Sequence, residues 1–129
     1  MRQFETLLKL LGADWEVIQQ KMEISRKIMW SDETQYAEAV KCFLAGQDFM
    51  RLGRCIEGKQ WHLVSSNSVR IKNHCSELGI TCFDNYLIGI RAAVRSQNVS
   101  EALQIMSRIT AKRVQIRNLL AEEKKECDM

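Results

Sequence analysis

The strongest constraint on the fold is the absence of proline from all 129 residues, together with a glycine content of only six. Proline and glycine supply most of the tight turns that connect short strands, so this chain is poorly suited to a β-rich fold. Its segments are instead rich in Ala, Leu, Gln, Glu, Lys and Arg, which lose little entropy in a helix. An all-α fold is therefore expected, and the length fits one domain over residues 1–129.

Apolar spacing predicts where the helices lie. A short helix is expected at Phe4–Leu11, ending at Gly12, and a second begins near Asp14 with an apolar stripe that reaches Met29. Four longer stretches follow, with expected bounds of Asp32 to Gly58 with a break or bend at Gly46, Gln60 to Leu78, Thr81 to Ser96, and Asn98 to about Leu120. Because the connections are short, neighbouring helices should be antiparallel. The expected architecture is an up-and-down four-helix bundle with one or two short helices at its N-terminal end.

Polar side chains should cap three of these helices. An acceptor at the first position and an acidic or amide residue three positions later form a capping box. The three predicted pairs are Asp32 with Gln35, Thr81 with Asp84, and Asn98 with Glu101.

Charge and hydropathy exclude some classes of function. The net charge of +3 is small and dispersed, so no nucleic acid partner is expected. No run of about 18 apolar residues exists that could span a membrane. The N-terminus alternates apolar and charged residues, unlike a signal peptide, which predicts a cytoplasmic protein.

The five cysteines predict neither a disulfide framework nor a metal site. They are Cys42, Cys55, Cys75, Cys82 and Cys127, with no CxxC pair among them. Reduced thiols that fill small apolar spaces are the expected role. No metal or cofactor is expected, and no enzyme either, because paired carboxylates, a Ser-His-Asp set and a cofactor loop are missing.

The stretch from Trp61 to Leu78 has two contrasting faces. At about 100° per residue, one stripe should face the core, and it contains Val64, Ser68, Ile71, Cys75 and Leu78. The opposite face contains His62, Ser65, Ser66, Val69 and Asn73. Val69 is thus an apolar, β-branched residue within a polar face. It is either an isolated exposed valine without a function or the centre of a contact surface.

The segment Ser68–Asn73 resembles the H-x-L-K-G motif of histidine-containing phosphotransfer (Hpt) domains, with its first and last elements changed. Ile71 matches the buried leucine of that motif and Lys72 its lysine. Gly79 ends the helix ten positions after Val69, as a glycine does after the histidine in the family. Flanking segments are also similar, and the resemblance extends over residues 14–121.

The resemblance implies a role in two-component signalling without phosphate transfer. Hpt domains accept a phosphoryl group from a receiver-domain aspartate on an exposed imidazole, and valine has no nucleophile. The expected function is a non-phosphorylatable interaction module that binds the receiver domain of a response regulator or hybrid kinase. The expected docking residues are Ser65, Ser66, Val69, Arg70, Lys72 and Asn73, with the two cations complementing an acidic receiver pocket.

Two alternatives remain open. His62 lies on the same face as Val69, seven residues earlier, and an active phosphotransfer protein would use it or another site. A register centred on His74 fails, because it puts Ser76 and Glu77 where the leucine and lysine belong. The other alternative is a helical bundle with an unrelated interaction role, such as dimerisation.

Overall fold

The computed structural model describes residues 2–127, with the side chains of residues 2–122. All regular secondary structure in this part of the chain is α-helical, which confirms the all-α prediction. The seven helices are α1 (Phe4–Leu11), α2 (Trp15–Ser25), α3 (Glu33–Ala45), α4 (Gln47–Glu57), α5 (Trp61–Leu78), α6 (Asp84–Ser96) and α7 (Val99–Cys127). The side chains of residues 123–129, a charged stretch that includes Cys127, are not described.

Two of the three predicted caps are confirmed. The Asp32 carboxylate accepts a hydrogen bond from the backbone N–H of Gln35 at 2.8 Å, and the Gln35 side chain accepts one from the N–H of Ser31 at 2.9 Å. The Asn98 side chain accepts from the N–H of Glu101 at 3.0 Å. These bonds satisfy donors that a helix N-terminus leaves without intrahelical partners.

The predicted cap at Thr81 is wrong. Helix α6 begins at Asp84, and Thr81 Oγ1 instead donates to the carbonyl of Gly12 at 2.7 Å. The backbone N–H groups of Thr81 and Cys82 both donate to the carbonyl of Leu11, each at 3.0 Å. The turn before α6 is therefore attached to the turn after α1, and this long-range contact occupies the hydroxyl that was expected to cap a helix.

The second helix is shorter than its apolar stripe predicted. It ends at Ser25, whose hydroxyl donates to the Met22 carbonyl at 3.2 Å and accepts from the Lys27 N–H at 3.3 Å. Arg26 then adopts the left-handed conformation with φ of 56°. A serine that bonds the neighbouring backbone competes with the helical hydrogen bonds. Met29 consequently lies outside α2, with 55% of its surface exposed.

The break predicted at Gly46 is present and separates α3 from α4. Gly46 has extended backbone (φ −66°, ψ 163°), which leaves carbonyls at the end of α3 without helical partners. The Arg113 guanidinium from α7 donates to the Leu44 carbonyl through Nη2 at 2.5 Å and Nε at 3.2 Å. The same guanidinium lies 4.4 Å from the centre of the Phe49 ring at the start of α4. One side chain of α7 thus contacts both sides of the break.

The core joins all the helices. Helix α4 packs against α5 and α7, and α6 also packs against α5 and α7, so each of these four helices has two neighbours among the others. Helices α1 and α3 pack on α7. The largest fully buried side chains include Tyr36, Phe49, Phe83, Leu7, Leu11 and Leu44. The short N-terminal helix is therefore part of the same core.

An aromatic cluster fixes the end of α5. The Tyr36 ring contacts the rings of Phe4, Trp15 and Trp30, with centroids 5.2 to 6.1 Å apart. Its hydroxyl donates to the Leu78 carbonyl at 2.6 Å, which satisfies a carbonyl in the last turn of α5. Burial raises the pKa of this phenol well above its usual value.

Candidate functional site

Helix α5 has the two faces that its sequence predicted. All five residues of the expected core stripe are buried, namely Val64, Ser68, Ile71, Cys75 and Leu78. Gly79 ends the helix in the left-handed conformation, with φ of 70°. The expected register of α5 against the core is therefore confirmed.

The opposite face of α5 is open to solvent around Val69. Val69 is 42% exposed, His62, Ser66 and Asn73 are also exposed, and Ser65 is half-buried. The Ser66 hydroxyl donates to the carbonyl of His62 at 3.0 Å, so its proton is already used within the helix. The centre of this face is thus a small apolar side chain with the short polar side chains of Ser65, Ser66 and Asn73 around it.

One flank of this face is formed with α4. Arg70 Nη1 lies 3.9 Å from Asp48 Oδ1, and His74 Nε2 lies 3.6 Å from Asp48 Oδ2. The imidazole of His74 also lies against the ring of Phe43, with centroids 5.8 Å apart, and its side chain remains 47% exposed. His74 therefore has structural contacts with α3 and α4 and lies to one side of the Val69 face.

The other flank is formed with α6. Lys72 Nζ donates to Asp84 Oδ1 at 2.7 Å, and both side chains are partly exposed. An exposed ion pair of this kind contributes ~0–1 kcal/mol to stability, so its main effect is to hold the ammonium in place. Arg70 and Lys72 thus lie on opposite sides of Val69, and each has an acidic neighbour from another helix.

The two carboxylates, Asp48 and Asp84, were missed by the sequence prediction. Their distance from α5 depends on how the helices pack, which a local pattern does not reveal. Each lies in the first turn of its helix, where an acidic residue is favourable for the helix dipole. That helix-start pattern was the available signal, but it gave no reason to pair them with Arg70 and Lys72.

The described cysteines divide into buried and exposed thiols. Cys55 and Cys75 are buried, Cys82 is partly buried and Cys42 is exposed. Burial raises the pKa of the Cys75 and Cys82 thiols to about 12, so both stay protonated near neutral pH. Cys55 and Cys75 fit the expected filler role, whereas Cys42 does not fill the core.

Neither a metal site nor a similar protein gives independent information on this site. Among the described residues, no three His, Cys, Asp or Glu side chains come together as a metal site would require. Nor does any helix in that part of the chain combine the length and apolar character needed to cross a bilayer. No family model, curated protein or solved structure matches the chain.

Proposed function

We propose that this protein is a cytoplasmic, Hpt-like interaction module that binds receiver domains and cannot itself carry phosphate. In this proposal α4, α5, α6 and α7 form the up-and-down four-helix bundle of the family. Helix α5 takes the place of the helix that carries the phosphorylated histidine. The observation that supports it best is the exposure of Val69 at the centre of the solvent-facing side of α5, where the resemblance expects the histidine.

The surroundings of Val69 suit a protein partner. Burying the exposed part of the valine is favourable, and the neighbouring Ser65 and Asn73 can exchange hydrogen bonds with a partner backbone. Lys72 donates one hydrogen bond to Asp84, and an ammonium group has three donors. Two donors therefore remain for the acidic pocket of a receiver, on a side chain whose position Asp84 already fixes.

Phosphate transfer through position 69 is excluded by chemistry in this proposal. A phosphoryl acceptor must supply a lone pair to the phosphorus, and the valine side chain has none. Binding without transfer would make the protein a competitor of true Hpt domains or a scaffold.

The test compares receiver binding by the wild type and by Val69→Asp, using purified receiver domains from the same organism. We expect the aspartate to weaken binding by about tenfold or more, because it places a charge in an apolar contact facing an acidic pocket. The matched control is Val114→Asp, which makes the same change at a 48%-exposed position of α7, a helix that packs on α4 and α6, and should leave binding unchanged. Absence of receiver binding by the wild type, or equal affinity of wild type and Val69→Asp, would contradict the proposal.

A second variant tests the position itself. Val69→His restores an imidazole on the exposed face, and we expect it to gain acid-labile phosphate in a mixture with an active kinase and receiver. The wild type should gain none. Absence of label on Val69→His, with the receiver still bound, would show that α5 docks in a different register.

An active phosphotransfer protein using His62 is the second candidate. His62 is exposed in the first turn of α5 and shares a face with Val69. This candidate predicts acid-labile phosphate on the wild type that disappears in His62→Ala. The same labelling experiment therefore separates the two functions.

A further inference from the structure

A second surface of the molecule exposes large apolar side chains in one short segment. Ile24 is 83% exposed, Ile28 is 80% exposed and Met29 is 55% exposed. Single exposed apolar residues are common, but a group of them indicates an interaction site. These three lie within six residues, at the end of α2 and in the segment that follows it.

The backbone holds this segment at both ends. Ser25 and the left-handed Arg26 end α2 and turn the chain away from the helix axis. Four residues later, the Trp30 ring packs on Tyr36 in the core, with centroids 5.2 Å apart. Ile28 and Met29 are therefore exposed on a short segment that is held by the end of α2 on one side and by Trp30 on the other.

A cavity of about 280 Å³ adjoins the same segment. Its apolar lining includes Ile18, Met22, Met29 and Trp30, and Glu77 of α5 also lines it. This volume is just below the roughly 300–1,000 Å³ of small-molecule pockets. It is suited to one large side chain of a partner, which a flat bilayer surface does not offer.

The charges around the apolar group are mainly positive. Lys21, Arg26 and Lys27 lie in the same stretch, which contains one acidic residue, Glu23. Lys21 and Lys27 also line the cavity. Among the residues that the structure describes, these three cations form no ion pair, whereas Arg70 and Lys72 each have an acidic neighbour.

We propose that this basic and apolar surface binds an acidic amphipathic helix of a protein partner. We name it the α2 surface and define it by Lys21, Ile24, Arg26, Lys27, Ile28 and Met29. The partner helix places a large apolar side chain in the cavity and its carboxylates against the unpaired cations. The α2 surface shares no residue with the Val69 face, although Lys21 and Lys72 line one common pocket. It is argued from different residues, so this proposal does not depend on receiver binding.

The probe is a synthetic helical peptide of about 18 residues, or five turns, with Leu and Trp on one face and Glu on the other. It is titrated into the whole protein carrying labelled Ile and Met methyl groups, and chemical shifts are followed by NMR. We expect saturable shifts of the Ile24, Ile28 and Met29 methyl groups. A matched peptide with Lys in place of Glu should bind at least about tenfold more weakly, because it repels the cations.

Two variants assign the contact. Ile28→Asp should weaken the acidic peptide by about tenfold or more, and Lys27→Glu should weaken it in the same direction. Both side chains project from the segment that follows α2, and Ile28 is largely solvent-exposed, so the variants should fold as the wild type does, which circular dichroism checks. Ile88→Asp, on α6, is the control and should bind normally.

Several results would overturn the proposal. One is the absence of methyl shifts with the acidic peptide, or shifts confined to residues around Val69. Another is that the wild type binds phosphatidylserine vesicles more tightly than the peptide and that this binding depends on Ile28, which would assign the surface to a membrane. A third is a dimer in the absence of peptide that Ile28→Asp dissociates, which would assign it to a second copy of the chain.

Discussion

Replacing Arg113 with methionine should destabilise the protein by disconnecting α7 from the break between α3 and α4. Methionine keeps much of the length and apolar stem of arginine but has no donor. The variant therefore loses both hydrogen bonds to the Leu44 carbonyl and the contact with the Phe49 ring. No helical N–H replaces these donors, because Gly46 turns the backbone away.

The size of the effect follows from three terms. Hydrogen bonds to a charged group contribute ~1.5–3 kcal/mol net. A partly desolvated cation–π contact adds ~0.5–2 kcal/mol. The cost of burying the guanidinium opposes them, and burial, with Arg117 second, lowers the pKa of Arg113. We expect a net loss of ~2–3 kcal/mol in the free energy of unfolding.

The assay is urea denaturation followed by far-ultraviolet circular dichroism, with a thermal scan in parallel. A loss of this size corresponds to a fall in Tm of about 8–12 °C for a chain of this length. Arg113→Lys keeps the charge but not the fork of donors, so its loss should be intermediate. Arg117→Met is the control, because it removes a neighbouring exposed cation that disfavours the charged form of Arg113. It should change stability by less than ~0.5 kcal/mol.

One result would refute the reasoning. If Arg113→Met unfolds within ~0.5 kcal/mol of the wild type, the Leu44 carbonyl does not depend on this side chain, and the break is maintained by backbone and apolar packing alone.

Two further predictions concern a turn and a thiol. Gly12→Ala should lower the free energy of unfolding by ~1–2 kcal/mol in urea denaturation, because position 12 has φ of 64° and a Cβ there meets a neighbouring side chain. Gly58→Ala, at φ −82°, is the control and should lose less. Equal losses would contradict this reasoning. Burial raises the pKa of Cys75 to about 12, so above about pH 8.5 the unfolded chain releases a proton that the folded chain retains. This thiol alone should lower stability by ~2 kcal/mol by about pH 10, and Cys82, whose pKa burial also raises to about 12, adds to the fall. Cys75→Ala should reduce this slope in urea titrations at several pH values, and an unchanged slope would exclude the thiol as its source.

The sequence pattern was sufficient to predict burial where one face of a helix packs on the core and the opposite face is exposed to solvent. All five buried residues of α5 and the exposure of Val69 were predicted, because α5 packs on the core along one stripe only. The prediction failed at Ser25 and Thr81, since each hydroxyl had a choice of backbone partners. The Ser25 hydroxyl bonds the nearby Met22 carbonyl, where α2 ends early. The Thr81 hydroxyl bonds the Gly12 carbonyl, which is distant in sequence.

The charge environment of the candidate site was harder to predict than its shape. The cations Arg70 and Lys72 were assigned to the docking face through the resemblance to Hpt domains. Their acidic neighbours Asp48 and Asp84 come from other helices, and their proximity follows from packing that no local window contains. The face is consequently closer to neutral than its own helix suggests.

The hydrogen bonds from Thr81 and Cys82 to the Leu11 carbonyl have a consequence for folding during synthesis. The α1 helix is made before the partners of its C-terminal end, which lie about 70 residues further along the chain. At translation rates of roughly 5–20 residues per second, α1 must wait about 4–14 s before they exist. During that interval Leu7 and Leu11, fully buried in the finished molecule, have no permanent cover. The nascent chain thus exposes the apolar face of α1 throughout this interval, and chaperone binding during translation should concentrate there.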